Sequence, residues 1–254
     1  MIKFKSDTHQ YFTKDNRELI SVSKFTQKFE PKENWDEIAA KYAKKHGLDK
    51  KEVQALWAEK AKKGKEAGTI LHNIREAELL SKDFYQFEKE KLLQKSCPVS
   101  DGCKWALPTN EVENGHVYPE MMIYDLEYMI CGQSDKVIVE NNKIHIYDYK
   151  TDKSIEFKGF IDKLGHEKKL LKPVDHLGNC NGNIYSLKMS LYMYLMCKAN
   201  LGRFKPGRIV LEWCPLERDE EGFPILYDGK PKVKFQKNIE LPYRKKEVID
   251  MLKH

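Results

Sequence analysis

Residues 130–153, ICGQSDKVIVENNKIHIYDYKTDK, constrain this chain more than any other stretch. Two short runs of β-branched and apolar residues, Val137–Val139 and Ile144–Tyr147, flank a tight Glu140-Asn141-Asn142-Lys143 turn, which predicts a β-hairpin. Alternate side chains along a strand share a face and sit roughly 7 Å apart, so Ile144, Ile146, Asp148 and Lys150 line up. The second strand therefore enters a core with apolar groups and leaves it with an acid and an amine. Asp135 lies near the start of the partner strand, behind Gly132. Two carboxylates and a lysine at the ends of paired strands suit a divalent cation and an attacking water. The same groups equally suit an ion pair at a sheet rim. Asp-x-Lys also occurs at Asp49-Lys50-Lys51 and Asp228-Gly229-Lys230, so placement, and not the triplet, carries the reading.

The rest of the chain arranges itself around that hairpin. Alternation in the first twenty residues, with breaks at Ser6-Asp7-Thr8 and Lys14-Asp15-Asn16, predicts an opening hairpin. Ser21 or Ser23 caps a short helix carrying Phe25 and Phe29, stopped by Pro31. From Glu33 to about Leu80 the pattern is helical, with breaks at Gly47, where Asp49 caps the next helix, and around Gly64 to Gly68. A further amphipathic helix is expected over 83–95 and a loop over 96–116. Strands resume near 117 as a three-stranded meander, followed by an irregular lysine-bearing connection over 156–183, long enough for a substrate loop. An apolar helix over 184–200 ends at Gly202, and a strand RIVLEWCPL, an edge hairpin at Asp228-Gly229 and a last helix from 243 complete the chain. This order describes an α/β core, a mixed β-sheet flanked by helices, with a helical N-terminal region. One domain over 1–254 is expected, residues 1–80 supplying a hairpin and a helical wall and 81–254 the core.

Composition adds little until a ligand is considered. Lysine and arginine number 45 against 39 acids, a net charge of +6, which fits either a solvated lysine-rich surface or an acidic partner such as nucleic acid. No apolar run reaches the roughly 18 residues of a membrane span, and the N-terminus lacks a signal-peptide core, so a cytoplasmic protein with no membrane partner is expected. The six cysteines are scattered, and Cys97 and Cys103 do not have a zinc spacing, so all six are read as thiols.

In GTILHNIREAELL, His72 and Glu76 stand four residues apart and so share a helix face. The preceding Gly68-Thr69 allows close approach of another backbone, and such a helix can bring an imidazole to the carboxylates. Glu120, in Tyr118-Pro119-Glu120, is either a further site acid or an exposed strand glutamate. The lysines at 41–65 and 156–183 make a phosphate track, on which Tyr42, Trp57 or Tyr185 would stack unpaired bases, or else plain solvated helix faces.

Taken in order, a Gly-Thr-x-x-His helix, a strand glutamate, a Gly-x-x-Asp strand, an Asp-Tyr-Lys-Thr strand and a tyrosine-rich helix resemble the PD-(D/E)XK nuclease superfamily. Within it the chain is most similar to RecB-like exonucleases of phage and mobile elements, relatives of the mitochondrial genome-maintenance exonuclease and the CRISPR adaptation nuclease. The similarity covers about residues 60–215. It implies a restriction-endonuclease-like core and a Mg²⁺- or Mn²⁺-dependent deoxyribonuclease with one or two ions, working on DNA ends in recombination or genome processing, alongside a recombination partner protein. His72, Asp135, Asp148 and the Tyr149 main-chain carbonyl would bind metal, and Lys150 would position or activate water. Glu76 and Glu120 match acidic positions of more variable role. The family glutamine four residues before a tyrosine is replaced by Lys188 before Tyr192; Lys188, Tyr185, Tyr192 and Lys153 are the expected DNA contacts. Some relatives carry an iron–sulfur cluster held by one cysteine upstream of the site and three near the C-terminus, whereas this chain has none after Cys214, so no cluster is expected. An endonuclease of the same fold and a catalytically idle nucleic-acid-binding protein are the alternatives.

Overall fold

The computed structural model describes residues 2–5, 8–100 and 103–254. In chain order its elements are β1 (Ile2–Lys5), β2 (Gln10–Thr13), β3 (Glu18–Ser21), α1 (Val22–Gln27), α2 (Trp35–His46), α3 (Lys50–Leu80), β4 (Tyr85–Phe87), β5 (Glu90–Gln94), β6 (Val99–Ser100) and β7 (Cys103–Trp105). There follow β8 (His116–Asp125), β9 (Ile130–Glu140), β10 (Lys143–Lys150), α4 (Asn181–Ala199), β11 (Lys205–Trp213), β12 (Leu226–Tyr227), β13 (Lys230–Pro231), β14 (Lys237–Glu240) and α5 (Lys245–Lys253).

β9 is the axis of a mixed sheet. Along one edge it pairs antiparallel with β8, from His116 opposite Val139 to Asp125 opposite Ile130. Its other edge is divided. Ile130 and Cys131 pair parallel with β3, and Lys136 to Glu140 pair antiparallel with β10. The expected turn joins β9 to β10, with Asn141 and Asn142 both at positive φ, the geometry that matches the twist of a two-residue hairpin and that asparagine tolerates. β10 runs parallel to β11 with α4 as the crossover, and β14 closes that edge antiparallel to β11. Parallel pairing with both faces covered explains why β10 is buried from Ile144 through Tyr149.

Helices cover both faces. On one, Val137, Val139, Ile144, Ile146, Ile209 and Leu211 pack against Leu187, Leu191 and Leu195 of α4, with α1 and α5 behind. On the other, Ile138, Tyr147 and Val210 pack against Leu79 of α3 and Phe87 and Leu92 of the β4–β5 hairpin. No helix of the described residues is long and apolar enough to cross a membrane.

Several local expectations hold: Ser21 and Asp49 accept the capping bonds of α1 and α3, Gly47 closes α2 in the left-handed conformation, residues 156–180 contain no helix or extended strand, and the described cysteines are free thiols. The Ser6-Asp7 part of the first turn lies outside the described residues, but β1 and β2 pair antiparallel on either side of it.

Three expectations are corrected. The segment 83–95 is a β-hairpin, not a helix: Glu88 takes positive φ at the turn, Tyr85, Phe87 and Leu92 bury against the sheet and α3, and Leu93 and Gln94 pair with β8. The Gln94 amide donates to the carbonyls of Leu79 and Lys82, satisfying the end of α3. Tertiary pairing thus overrides a helical charge pattern. The glycines at 64 and 68 do not break the helix, and α3 runs unbroken for 31 residues. The loop over 96–116 contains the short β6–β7 pair, added to the sheet through β1 and β7. The opening hairpin joins the main sheet through β3, which pairs parallel with β9.

His145 on β10 gives the fold an acid-sensitive point. Its Nδ1 accepts from the Arg208 backbone N–H at 3.2 Å and its ring stands edge-on to Phe87. Burial, then the charges of Arg208 and Lys143, push the imidazole down to about 4. Between that value and about 6.5 the unfolded chain binds a proton that the folded chain refuses, so stability rises with pH across this window. The unfolding free energy from urea titration should fall as pH drops from 6.5 to 4, by up to about 3 kcal/mol. His145→Asn, which keeps an acceptor without a titrating ring, should flatten that slope.

Candidate active site

The divided edge of β9 makes the site. Beyond the Tyr147–Lys136 rung, β10 leaves β9, and the Asp135 side chain fills the gap by accepting the Tyr149 backbone N–H at 2.6 Å. On the opposite edge Pro119 pairs with Lys136 and Met121 with Ser134, which sets Glu120 across from Asp135. Glu120 is not the exposed strand glutamate its neighbours allowed. It is partly buried and its φ is +46°, a backbone state costing about 1–3 kcal/mol for a non-glycine residue. The Gln133 amide donates to its carbonyl at 3.2 Å.

α3 brings the imidazole. Gly68 permits the approach: a Cβ there would stand 3.3 Å from Thr151 Oγ1. One turn on, His72 Nδ1 lies 3.5 Å from Asp135 Oδ2, its ring edge-on to Tyr149. His72, Glu120 and Asp135 each place a ligand-type atom within 4.8 Å of the other two. Burial pulls the His72 imidazole down, but the hydrogen bond and charge of Asp135 outweigh it and leave its pKa raised. Burial, then the neighbouring Asp135 charge, push Glu120 up to about 8.

Asp148 and Lys150 sit beside this group. Asp148, 2% exposed, holds Lys150 through Oδ2 and lies 3.8 Å from Lys188 Nζ through Oδ1. Burial alone would raise its pKa; Lys150 first and then Lys188 reverse that and hold it well below the usual range. Lys150 also donates to the Tyr149 carbonyl at 3.0 Å. His72 and Asp135 converge as anticipated, Glu120 joins them, and Asp148 and the Tyr149 carbonyl are engaged by lysines. Glu76 stands at the rim, 3.3 Å from Lys104 Nζ.

α4 backs the site. Lys150 lies over the Tyr185 ring and Lys188 over that of Tyr192, and Lys188 points at Asp148. The Tyr185 hydroxyl donates to Asp152 at 2.9 Å and Tyr192 to the Gln133 carbonyl at 2.9 Å; both tyrosines brace the site. Lys153 is exposed and lines a second cavity with Trp213 and Phe235. The Tyr192 contact explains Gly132, whose Cβ would fall 2.6 Å from that hydroxyl and 2.8 Å from Val22. Gly132→Ala should destabilise the protein by about 1–3 kcal/mol through overpacking, measured by denaturant titration.

A cavity of about 670 Å³ opens over His72, Glu120 and Gln133, walled by Lys65 and Gly68 of α3 and by Lys104. Lys104 and Gln133 were not singled out from sequence. Gln133 lies inside the Gly-x-x-Asp run; nothing local marks Lys104, which arrives only through β7 pairing.

The donor set fits a hard divalent cation: two carboxylates and one imidazole converge, and burial and the Asp135 charge push the Glu120 carboxyl up, a conflict that a cation would relieve. Cation binding to such a set would strengthen as pH rises, because the ligands must lose protons. No protein-family model, no curated protein and no solved structure matches this chain.

Proposed function

We propose that the chain is a metal-dependent deoxyribonuclease acting on DNA ends, built on a restriction-endonuclease-like core and serving phage-type recombination or genome processing. The observation that carries this reading is the convergence of His72, Glu120 and Asp135 at a forked sheet edge, with Lys150 on the adjacent strand. Mg²⁺ or Mn²⁺ would be held by those three residues, and when bound supplies positive charge for a phosphodiester oxygen and lowers the pKa of water.

The remaining chemistry belongs to the protein. Asp148 and the Tyr149 carbonyl fix the Lys150 ammonium in one orientation on the strand beside Asp135, where it would hold water or donate to charge developing on phosphorus-bound oxygen. Lys188 keeps Asp148 ionised and adds a second cation behind it. Lys65 and Lys104 offer charge to the flanking phosphates at the cavity wall. Asp135 has two tasks, a ligand oxygen for the cation and an acceptor that keeps the fork in shape.

The test is digestion of end-labelled linear single- and double-stranded DNA with Mg²⁺ or Mn²⁺, beside a covalently closed circle. Loss of the linear forms alone is expected. Cleavage of the circle would replace the reading by an endonuclease. Calorimetry that detects DNA binding but no Mn²⁺ binding, with no hydrolysis, would leave an idle binding protein.

A further inference from the structure

α2 and α3 form a hairpin whose own small core is Ala39, Ala43 and Val53, with Trp57 against it. Its aromatic residues are not used up in that core. Trp35, the first residue of α2, is 64% exposed, and Tyr42 is 41% exposed. Trp57 stands edge-on between them, 6.5 Å from the Trp35 ring and 5.3 Å from that of Tyr42. Trp35, Gln54, Trp57, Ala58 and Ala61 line an open cleft of about 470 Å³.

The cleft and the catalytic cavity lie along the same face of α3. Gln54, Ala58, Ala61, Lys65, Gly68 and His72 follow one another at three- and four-residue steps, so they share one face of α3. The first three line the aromatic cleft and the last three the catalytic cavity. From Trp57 to His72 the helix rises about 22 Å. Lys62 and Lys65 are exposed along this stretch of α3, and Lys44, Lys45 and Lys51 are exposed on the same hairpin beyond Trp57; among the described residues none of the five has a carboxylate partner, whereas Lys41, Lys50 and Lys63 do.

We propose that this cleft is a stacking platform for unpaired nucleobases, holding a single-stranded segment whose far end lies in the catalytic cavity. The proposal deepens the nuclease reading and rests on it for the identity of the strand. Exposed indole and phenol faces take any unpaired base, while a duplex keeps its bases stacked inside. Free lysines along the path match the phosphates of such a strand, and an acidic chain lacking rings would leave Trp35 and Trp57 uncovered.

The experiment titrates the full chain, in EDTA so that nothing is cleaved, with oligothymidylate of about 15 nucleotides and with an abasic deoxyribose-phosphate oligomer of equal length. Tryptophan fluorescence and anisotropy are read together. Oligothymidylate should quench the fluorescence, and Trp35→Ala and Trp57→Leu should each weaken its binding roughly 5- to 100-fold. Abasic binding should be weak and unchanged in both variants. Trp35 is exposed, so its variant keeps the fold even if Trp57→Leu does not. Unchanged oligothymidylate affinity in Trp35→Ala, equal losses on the abasic oligomer, or no quenching by either would overturn the platform. In parallel, the parent chain is assayed for Mn²⁺-dependent hydrolysis of bis(p-nitrophenyl) phosphate, a substrate too small to reach the cleft. If hydrolysis is present and the binding result negative, the platform fails alone; if hydrolysis is absent while the binding result holds, the nuclease reading fails alone.

Discussion

Asp135→Asn should lower Mg²⁺- or Mn²⁺-dependent hydrolysis of linear DNA by at least roughly 10²–10³-fold, the loss typical of removing one preorganised charge-stabilising group, without unfolding the protein. Asparagine is the same size and keeps an oxygen to accept the Tyr149 N–H, the contact that now measures 2.6 Å. What it removes is the charge shared with His72 and set opposite Glu120. Lys150→Ala should be equally damaging, and Lys150→Arg should not rescue it, because a planar guanidinium cannot take the place of an ammonium held by Asp148 and the Tyr149 carbonyl. Asp148→Ala should also abolish turnover, since it leaves Lys150 and Lys188 facing each other without their counter-charge. End-labelled DNA digestion with circular dichroism as the folding check decides the matter. Rates within tenfold of the parent for Asp135→Asn or Lys150→Ala would remove the basis for the nuclease assignment.

Lys136→Met should destabilise the fold by about 3–5 kcal/mol, the cost of leaving its buried partner unpaired. Lys136 is 3% exposed on the sheet face away from α4. Its ammonium meets both carboxylate oxygens of Glu212, at 3.2 and 3.0 Å, and the Tyr85 hydroxyl at 3.2 Å. The rings of Tyr85, Tyr147 and Tyr149 surround it within 5.6 Å, so its charge is held by ring faces as well as by the carboxylate. The pair joins β9 to β11 across β10 at the rung where β10 departs from β9. It thus fixes the opening of the fork that carries Asp135 on one side and Tyr149 on the other. Melting should fall by roughly 10 °C. Lys136→Met with Glu212→Leu should recover most of the loss, because an apolar pair of similar volume has no buried charge to desolvate. A melting temperature unchanged by Lys136→Met would show that the pair contributes no net stability.

Much of this was legible in sequence wherever the determinants are local. The β9–β10 turn follows from two adjacent asparagines, the helix starts from Ser21 and Asp49, and the apolar α4 from an uninterrupted run. The order of the motifs, and its resemblance to a nuclease superfamily, is what puts His72 and Asp135 in one site, and Gly68 and Gly132 stand where a second element comes close. The segment 83–95 was not legible: its charges repeat as a helix would, and only pairing with β8 and burial of Phe87 and Leu92 decide for strands. Nor was the Lys136–Glu212 pair, whose members are 76 residues apart and look in isolation like ordinary surface charges.

The amino-acid sequence by itself determined the central hairpin, the helix caps and the candidate chemical groups, because turns, caps and alternation depend on residues a few positions apart. Only the tertiary structure decided which groups meet. It set Glu120 against Asp135 across a ladder, turned Asp148 toward two lysines and brought Lys104 to the rim, because those distances depend on strand register and on where β10 parts from β9.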